Sequence, residues 1–465
     1  MKSVAVRSLV AAFLAIPITA AVHAADAPAK TNVILIMADD LNNDLGCYGH
    51  KLVKSPNIDR LAARGVRFDR AYCNYPVCNP SRASIMSGRR PDTTGVVDNV
   101  TPTRAVLGDA VFLPEHFRKN GYVAAKFGKI YHTGDEFEDE RSWTSDLRED
   151  RRAKSAPADR IVKKDGSILI VRGDDEEFWD GYLANEAIRW LDANASSASP
   201  FFLAVGFRRP HTPYLATEKY RALYDAAKLN PLRGPEEHLA GVPKLALTYR
   251  LGQEAFPTDK AGEMMAAYYA SLSYMDAQVG KLIDAIDRHK LWDNSVVVFV
   301  SDHGYHLGEH GGLWHKLTLF EESARVPLLV VPPGRNSATV SPRLVELVDL
   351  YPSLCELCGL EAPAGLEGDS FVPLLKDPTA PGKKAAHTVA SRGERIAATR
   401  RLDPAVMGRS VRTERWRFTE WPDGTRELYD HDADPHEWKN LAADESHRKL
   451  IAELKALAEA AKLGN

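Results

Sequence analysis

Thr31-Asn32-Val33-Ile34-Leu35-Ile36-Met37-Ala38-Asp39-Asp40 is an apolar run closed by two carboxylates. A strand that is apolar at consecutive rather than alternate positions is covered on both faces, the mark of a parallel sheet clad in helices. In open α/β sheets ligands collect beyond the carboxyl ends of the strands, which is where Asp39 and Asp40 fall. Adjacent carboxylates repel unless a cation neutralises them, so the pair suits a divalent ion held by oxygen. An exposed acidic turn is the competing reading. Ser295-Val296-Val297-Val298-Phe299-Val300 repeats the pattern and runs into Ser301-Asp302-His303-Gly304. Asp39, Asp40, Asp302 and His303 together match Ca²⁺ or Mg²⁺ better than Zn²⁺, which recruits more His or Cys.

Working outward, Cys78-Asn79-Pro80-Ser81-Arg82-Ala83-Ser84-Ile85-Met86-Ser87-Gly88-Arg89 reads as a reactive centre. Pro80 pushes Asn79 towards an extended conformation, so the spacing predicts a helix beginning at or after the proline with Cys78 just upstream. The open N-terminus of a helix favours an anion or a thiolate, and Arg82 adds positive charge one turn on. A buried structural cysteine before an ordinary helix is the bland alternative. Lys129 and His132 lie in Lys126-Phe127-Gly128-Lys129-Ile130-Tyr131-His132-Thr133-Gly134, after a strand expected around Tyr122–Ala125. The buried strand Pro200–Gly206 delivers Arg208-Arg209-Pro210-His211-Thr212-Pro213, in which two prolines hold His211 on a stiff loop. Lys316 closes the glycine-rich run Gly308-Glu309-His310-Gly311-Gly312-Leu313-Trp314-His315-Lys316, ahead of the strand Val326–Val331.

The rest of the chain frames these segments. Ser55-Pro56 is expected to cap a short helix ending near Gly65, a helix is expected near Leu113–Asn120, and a long one from Glu263 to about His289 carries a core stripe. Residues from Asp135 to about Asp180 are densely charged and read as loops or an insertion. Cys355 and Cys358 fall in Leu344–Leu360, a helical pattern interrupted by Pro352, and read as core filling. Past Leu375 come short amphipathic strands, Thr388–Ser391, Gly408–Arg412 and Trp416–Glu420, and a closing helix from about Glu445 to Lys462. The expected division is a signal peptide over 1–24, a catalytic domain over 25–375 and a C-terminal subdomain over 376–465.

Composition narrows the classes. A chain of 465 residues with a formal net charge of -3 lacks the basic excess of a nucleic-acid binder. Five cysteines do not make a disulfide framework at this length. Lys2 and Arg7, the apolar stretch Leu9 to Val22 and Val22-His23-Ala24 form a cleavable secretory signal, predicting export to a periplasm or the cell exterior, or to a lysosome in a eukaryote, with no stable membrane insertion after cleavage.

Cys78-x-Pro80-Ser81-Arg82 followed by Gly88-Arg89 resembles the signature of the type I, formylglycine-dependent sulfatases. Four further segments resemble that family in the same order: Ser55-Pro56-Asn57-Ile58-Asp59-Arg60-Leu61, Gly128-Lys129-x-x-His132, the run ending at Lys316, and Asp434-Pro435-His436-Glu437 near the C-terminus. Ala38-Asp39-Asp40-Leu41, Gly88-Arg89-Arg90-Pro91-Asp92 and Ser301-Asp302-His303-Gly304 are most similar to its iduronate-2-sulfatase branch. The resemblance implies an alkaline phosphatase-like α/β fold, a large mostly parallel sheet between helices with a smaller C-terminal antiparallel sheet and helix. It implies that a maturation enzyme, recognising Cys78, Pro80 and Arg82, oxidises Cys78 to formylglycine, whose hydrate offers one hydroxyl to attack sulfur and another to expel sulfate. It further implies one Ca²⁺ held by Asp39, Asp40, Cys78, Asp302 and His303, with Lys129 and Lys316 on the sulfate oxygens, Arg82 orienting the hydrate, and His211 and His132 moving protons. The substrate expected is a sulfated carbohydrate, removed of a uronic acid 2-O-sulfate, with Arg208-Arg209 as a fork for the uronate carboxylate. A phosphoester or phosphonate hydrolase of the same superfamily, and a sulfated-glycan binder with unmodified Cys78, are the other classes.

Overall fold

The computed structural model describes residue 1 and residues 31–148, 157–247, 258–393, 401–403 and 406–462. The segment expected to be a signal peptide, apart from Met1, lies outside them. Fifteen strands are described: β1 (Asn32–Asp39), β2 (Val66–Tyr72), β3 (Val123–Gly128), β4 (Ser145–Leu147), β5 (Ile161–Asp165), β6 (Ile168–Val171), β7 (Phe201–Pro210), β8 (Tyr214–Thr217), β9 (Ser295–Ser301), β10 (Arg325–Val331), β11 (Thr339–Glu346), β12 (Ala386–Ser391), β13 (Met407–Arg412), β14 (Trp416–Glu420) and β15 (Arg426–Asp430). Eight of them form one sheet in the order β11-β2-β10-β9-β1-β7-β3-β4. Its neighbours run parallel except where β10 meets β2 and β9.

The doubly apolar strands do what their composition demands. Along β1, Val33, Leu35 and Met37 enter one core while Ile34, Ile36 and Ala38 enter the other. Along β9 the split is Val296, Val298 and Val300 against Val297 and Phe299. Each such side chain contributes about 1.5–3 kcal/mol when fully buried, so a register slip, which exchanges the two faces, is costly on both sides at once. The helix Thr258–Arg288 covers one face with Met264, Tyr268, Leu272, Met275, Val279, Leu282 and Ile286. The charged stretch after Asp135 supplies β4 at the sheet edge, and β5 and β6, which with β8 make a three-stranded sheet.

A four-stranded antiparallel sheet, β12-β13-β14-β15, completes the fold with the helix Arg448–Lys462 against it. It is stitched to the chain that leads into the signature: Val389 N–H donates to Asn74 O, Thr388 Oγ1 to Cys73 O and Ser391 N–H to Tyr75 Oη.

Three local expectations are corrected. Leu344–Glu346 belongs to β11, and the helix begins only at Leu350, with Pro352 in its first turn where no intrahelical N–H is lost. Cys355 still fills the core. Ser55 does not cap the Pro56–Ala62 helix, because its hydroxyl accepts from Gly46 N–H and donates to Asp59; Asp276, from the long helix, accepts the Asn57 and Ile58 N–H groups instead. The signature helix spans Cys78–Ser87, so Cys78 is its first residue rather than lying upstream. Pro80 is tolerated at the third position because the first four N–H groups have no helical acceptor. Gly88, at φ 65°, ends the helix in the left-handed conformation that glycine adopts without strain.

Candidate active site

Parallel register brings the motif residues together. Ala38 of β1 lies opposite Ser301 of β9, so Asp39-Asp40 and Asp302-His303 leave adjacent strands side by side. On the other flank Met37 pairs with Gly206 of β7, and Gly206 with Gly128 of β3, delivering His211 and Lys129 at the same edge. The two glycines allow this crossing, since a Cβ on Gly206 would overlap the Lys129 carbonyl and Gly128 sits at φ +80°. The N-terminus of the signature helix faces the four strand ends.

Cys78 is at the centre. Its Sγ lies 3.4 Å from Asp39 Oδ1, 3.3 Å from His303 Nε2 and 3.4 Å from Lys316 Nζ. Lys129 is ion-paired with Asp39 and Lys316 with Asp40. His303 Nε2 is 3.3 Å from Asp40 Oδ1 and 3.6 Å from Asp302 Oδ1, its Nδ1–H donating to Gly304 O. Asp39, Cys78, Asp302 and His303 offer ligating atoms within 4.8 Å of one another, as do Asp39, Asp40, Cys78 and His211. These two overlapping sets, each of two buried carboxylates, the Cys78 sulfur and an imidazole, with lysine ammonium groups and Arg82 as countercharge, fit a divalent cation.

The remaining polar groups divide between positioning and chemistry. Arg82 is buried and donates from Nε to Asp302 Oδ2 at 2.8 Å, and to the carbonyls of Lys129, Ile130 and Ala38. It holds strand ends together, and the Cys78 sulfur bears on its charge. Ser81 Oγ donates to the Asp302 carbonyl. His211 is partly exposed, with Nδ1 2.7 Å from Thr212 O and Nε2 3.9 Å from Asp40 Oδ2. A carbonyl only accepts, so Nδ1 carries a proton and Nε2 faces the pocket. His132 packs edge-on against Phe137, and its buried Nδ1 makes no hydrogen bond.

Electrostatics follow the crowding. Burial and then Lys129 push His132 down to about 2, and burial and Lys316 hold His211 well below the ordinary imidazole range. Burial would lower His303 too, but Asp302 and Cys78 raise it to about 9. For Asp39, burial is outweighed by Lys129, His211 and Arg82, which keep it well below the usual carboxylate range; for Asp40, burial wins despite Lys316 and the group is raised.

The arginine fork does not form. Arg209 is 1% exposed, and its Nη1 donates to the carbonyls of His211 and Pro213, shaping the loop that carries the histidine. The charge of Arg208 bears on Lys129 and His211. Asp180 accepts the backbone N–H groups of both arginines.

Tyr268 is a positioning residue that the sequence conceals. Asp40 has φ 62°, a strained conformation for a non-glycine residue. The Tyr268 hydroxyl donates to Asp40 O at 2.8 Å and accepts from Asn42 N–H at 3.0 Å, holding the turn. Its ring stacks on Tyr305, whose hydroxyl accepts from Tyr214 Oη. Tyr268 reads as one more apolar position of the helix stripe; a hydroxyl in a place where leucine would pack is the only signal.

Comparison with known proteins places the chain. The sulfatase family profile matches residues 31–360, and that of the N-sulphoglucosamine sulphohydrolase C-terminal region matches 308–462. The chain is 31% identical to iduronate 2-sulfatase of Mus musculus over 96% of its own length and 97% of the relative's, and 32% identical to that of Homo sapiens over 89% and 91%. Among solved structures, the phosphonate monoester hydrolase of Agrobacterium radiobacter superposes with TM-score 0.82 at 24% identity, covering 93% of this chain and 96% of that one. A 2-O GAG sulfatase superposes with TM-score 0.72 at 24% identity over 93% and 91%. At these identities the superpositions establish the fold, an alkaline phosphatase-like sulfatase fold. The family match and the curated relatives carry the chemistry: this chain belongs to the sulfatase family, enzymes that hydrolyse sulfuric esters.

Proposed function

We propose that the protein removes the 2-O-sulfate from a uronic acid residue of a sulfated carbohydrate, with Cys78 converted to formylglycine and one Ca²⁺ held by Asp39, Asp40, Asp302, His303 and residue 78. The observation that carries the reading is the likeness to iduronate 2-sulfatases over nearly the full length of both chains. Arg208, whose charge reaches Lys129 and His211, supports it as the group that meets the uronate carboxylate, alone now that Arg209 is committed to its own loop.

Formylglycine at 78, as its hydrate, supplies the hydroxyl that attacks sulfur and the second hydroxyl whose deprotonation releases sulfate. Ca²⁺ at the carboxylates supplies positive charge to a sulfate oxygen. The chain's own residues do the rest. Lys129 and Lys316, both within the pocket, neutralise the other sulfate oxygens, and as fixed charges in a dry site they favour the transition state without reorganising. Arg82 keeps Asp302 and the strand ends in place. His211, with Nδ1–H held by Thr212 O, presents a bare Nε2 to the leaving alcohol, and protonates it only after Nε2 has itself taken up a proton. His132 accepts the proton of the second hydroxyl through a ring nitrogen. Maturation requires an enzyme that reads Cys78, Pro80 and Arg82, and residues 1–24 direct export.

A panel of defined sulfated disaccharides tests the substrate. Desulfation of 2-O-sulfated uronates is expected. Turnover confined to 6-O-sulfated hexosamines or neutral galactans rejects the assignment. Metal analysis of the active enzyme is expected to find calcium, lost in Asp302→Asn; stoichiometric zinc alone in that pocket contradicts it.

A further inference from the structure

Ligating side chains converge a second time, away from Cys78. His310 and Glu437, both fully buried, and Glu322 each offer an atom within 4.8 Å of the other two. His310 Nε2 is 3.4 Å from Glu322 Oε2, and His306 Nδ1 is 3.9 Å from that oxygen and 3.6 Å from Glu309 Oε2. A tetrahedral ion with bonds of about 2.0–2.1 Å sets its ligands roughly 3.3–3.4 Å apart. These separations are therefore those of groups facing a shared centre, too long for good hydrogen bonds.

Buried polar atoms normally have partners. Here, among the described residues, His238 Nε2, His306 Nδ1, both ring nitrogens of His310 and Glu322 Oε2 have no hydrogen bond. The orphans are neighbours, since the His310 ring lies 5.5 Å from that of His238 and 5.8 Å from that of His306. The rings are also held in orientation. His306 Nε2 lies 2.6 Å from Thr318 Oγ1, leaving Nδ1 turned to the cluster, and His310 stacks on Phe320 at 3.8 Å. An outer partner that fixes a histidine's orientation is a regular feature of metal-ligating imidazoles.

We propose that His310, Glu322 and Glu437 form a structural site for a zinc-type divalent ion, with His306 beside it as a further donor. One or two imidazoles against two carboxylates at four-coordinate spacing favour such an ion, whereas the set beside Cys78 is richer in carboxylate oxygen and suits Ca²⁺. The site shares no residue with the catalytic pocket and does not depend on the substrate reading. Its ligands join the loop that carries Lys316, the turn at Glu321–Ala324 and the C-terminal segment. Glu437 already accepts from Arg417, His431 and the Glu321 N–H. An ion there locks the lysine loop to the smaller sheet, and its binding energy adds to folding stability.

The test uses the full chain saturated with Ca²⁺, exposed to Zn²⁺ and dialysed into zinc-free buffer, with elemental analysis. One retained zinc per chain is expected, kept in Asp302→Asn, lost in His310→Asn and in Glu322→Gln, and accompanied by a higher melting temperature only where it is kept. Absence of retained zinc in the native protein, equal retention in both cluster variants, or loss of zinc in Asp302→Asn overturns the proposal. Should the cluster variants not fold, anomalous diffraction from native crystals at the zinc edge decides. A peak bonded to His310 Nε2 and Glu322 supports the site, and a water there overturns it.

Discussion

The candidate active site and the joint of the smaller sheet both bury opposite charges, but they use them differently. At the joint, Arg417 donates from Nε to Glu437, from Nη1 to Ser410 and from Nη2 to Glu321, and Glu437 also takes His431 and a backbone N–H. Glu346 is held likewise by Arg90, Lys383 and Asn74. Planar guanidinium forks close these networks, while Glu437 Oε2, which accepts the Glu321 N–H, keeps a lone pair. In the pocket the partners of Asp39 and Asp40 are lysines, point charges on flexible stems that can change partner. The closed arrangement holds a structure together, whereas the open one leaves charge for a ligand to take.

The comparison breaks most severely at the reacting atom. Cys78→Ala is expected to lower kcat/KM on a sulfate ester by about 10⁴-fold or more, with little change in melting temperature, because Cys78 makes only sulfur contacts of 3.3–3.4 Å. The opposite profile is expected of Arg417→Met, which removes the guanidinium that bridges buried Glu321 and Glu437 and leaves them to Arg412 and His431. It should cost about 3–5 kcal/mol in urea unfolding. Lys316→Ala should lower kcat by roughly 10²–10³-fold, the effect of removing a preorganised charge from a developing anion, with stability near that of the native protein.

The smallest effect sharpens the structural side. Burial alone would raise the Glu346 carboxyl, yet Lys383 and Arg90 hold it well below the ordinary range. A depressed carboxylate contributes stability above its unfolded value, 4.5, and loses it as pH falls towards the folded value. Glu346→Gln should therefore be destabilised relative to the native protein at pH 7, with the gap narrowing below about pH 4.5. Denaturant melts at the two pH values measure it, and a gap that widens in acid contradicts the pairing.

What could be read from the chain alone follows from locality. The strands ending at Asp39 and Asp302 were legible because burial on both faces needs consecutive apolar residues, and their carboxylates then fall at the sheet edge by topology. Lys129, His211 and Lys316 reach the same edge as their motifs imply. Tyr268 fills the core stripe as expected, but the bond of its hydroxyl to Asp40 O and the loop bonds of Arg209 depend on where a side chain turns, which no spacing encodes. Ser55 lost its capping role to Asp276, 219 residues away along the chain from Asn57, a tertiary contact overriding a local preference. Cys78 entered its helix because Val77 O accepts the Ser81 N–H and Asn99 Oδ1 the Asn79 N–H, together fixing the first turn.

The most direct test is the mass of the tryptic peptide Ala71–Arg82 from enzyme that is hydrolysing a sulfate ester at its full rate. Residue 78 is expected to be lighter by the difference between a thiol and an aldehyde. An intact Cys78 thiol throughout a fully active sample contradicts it.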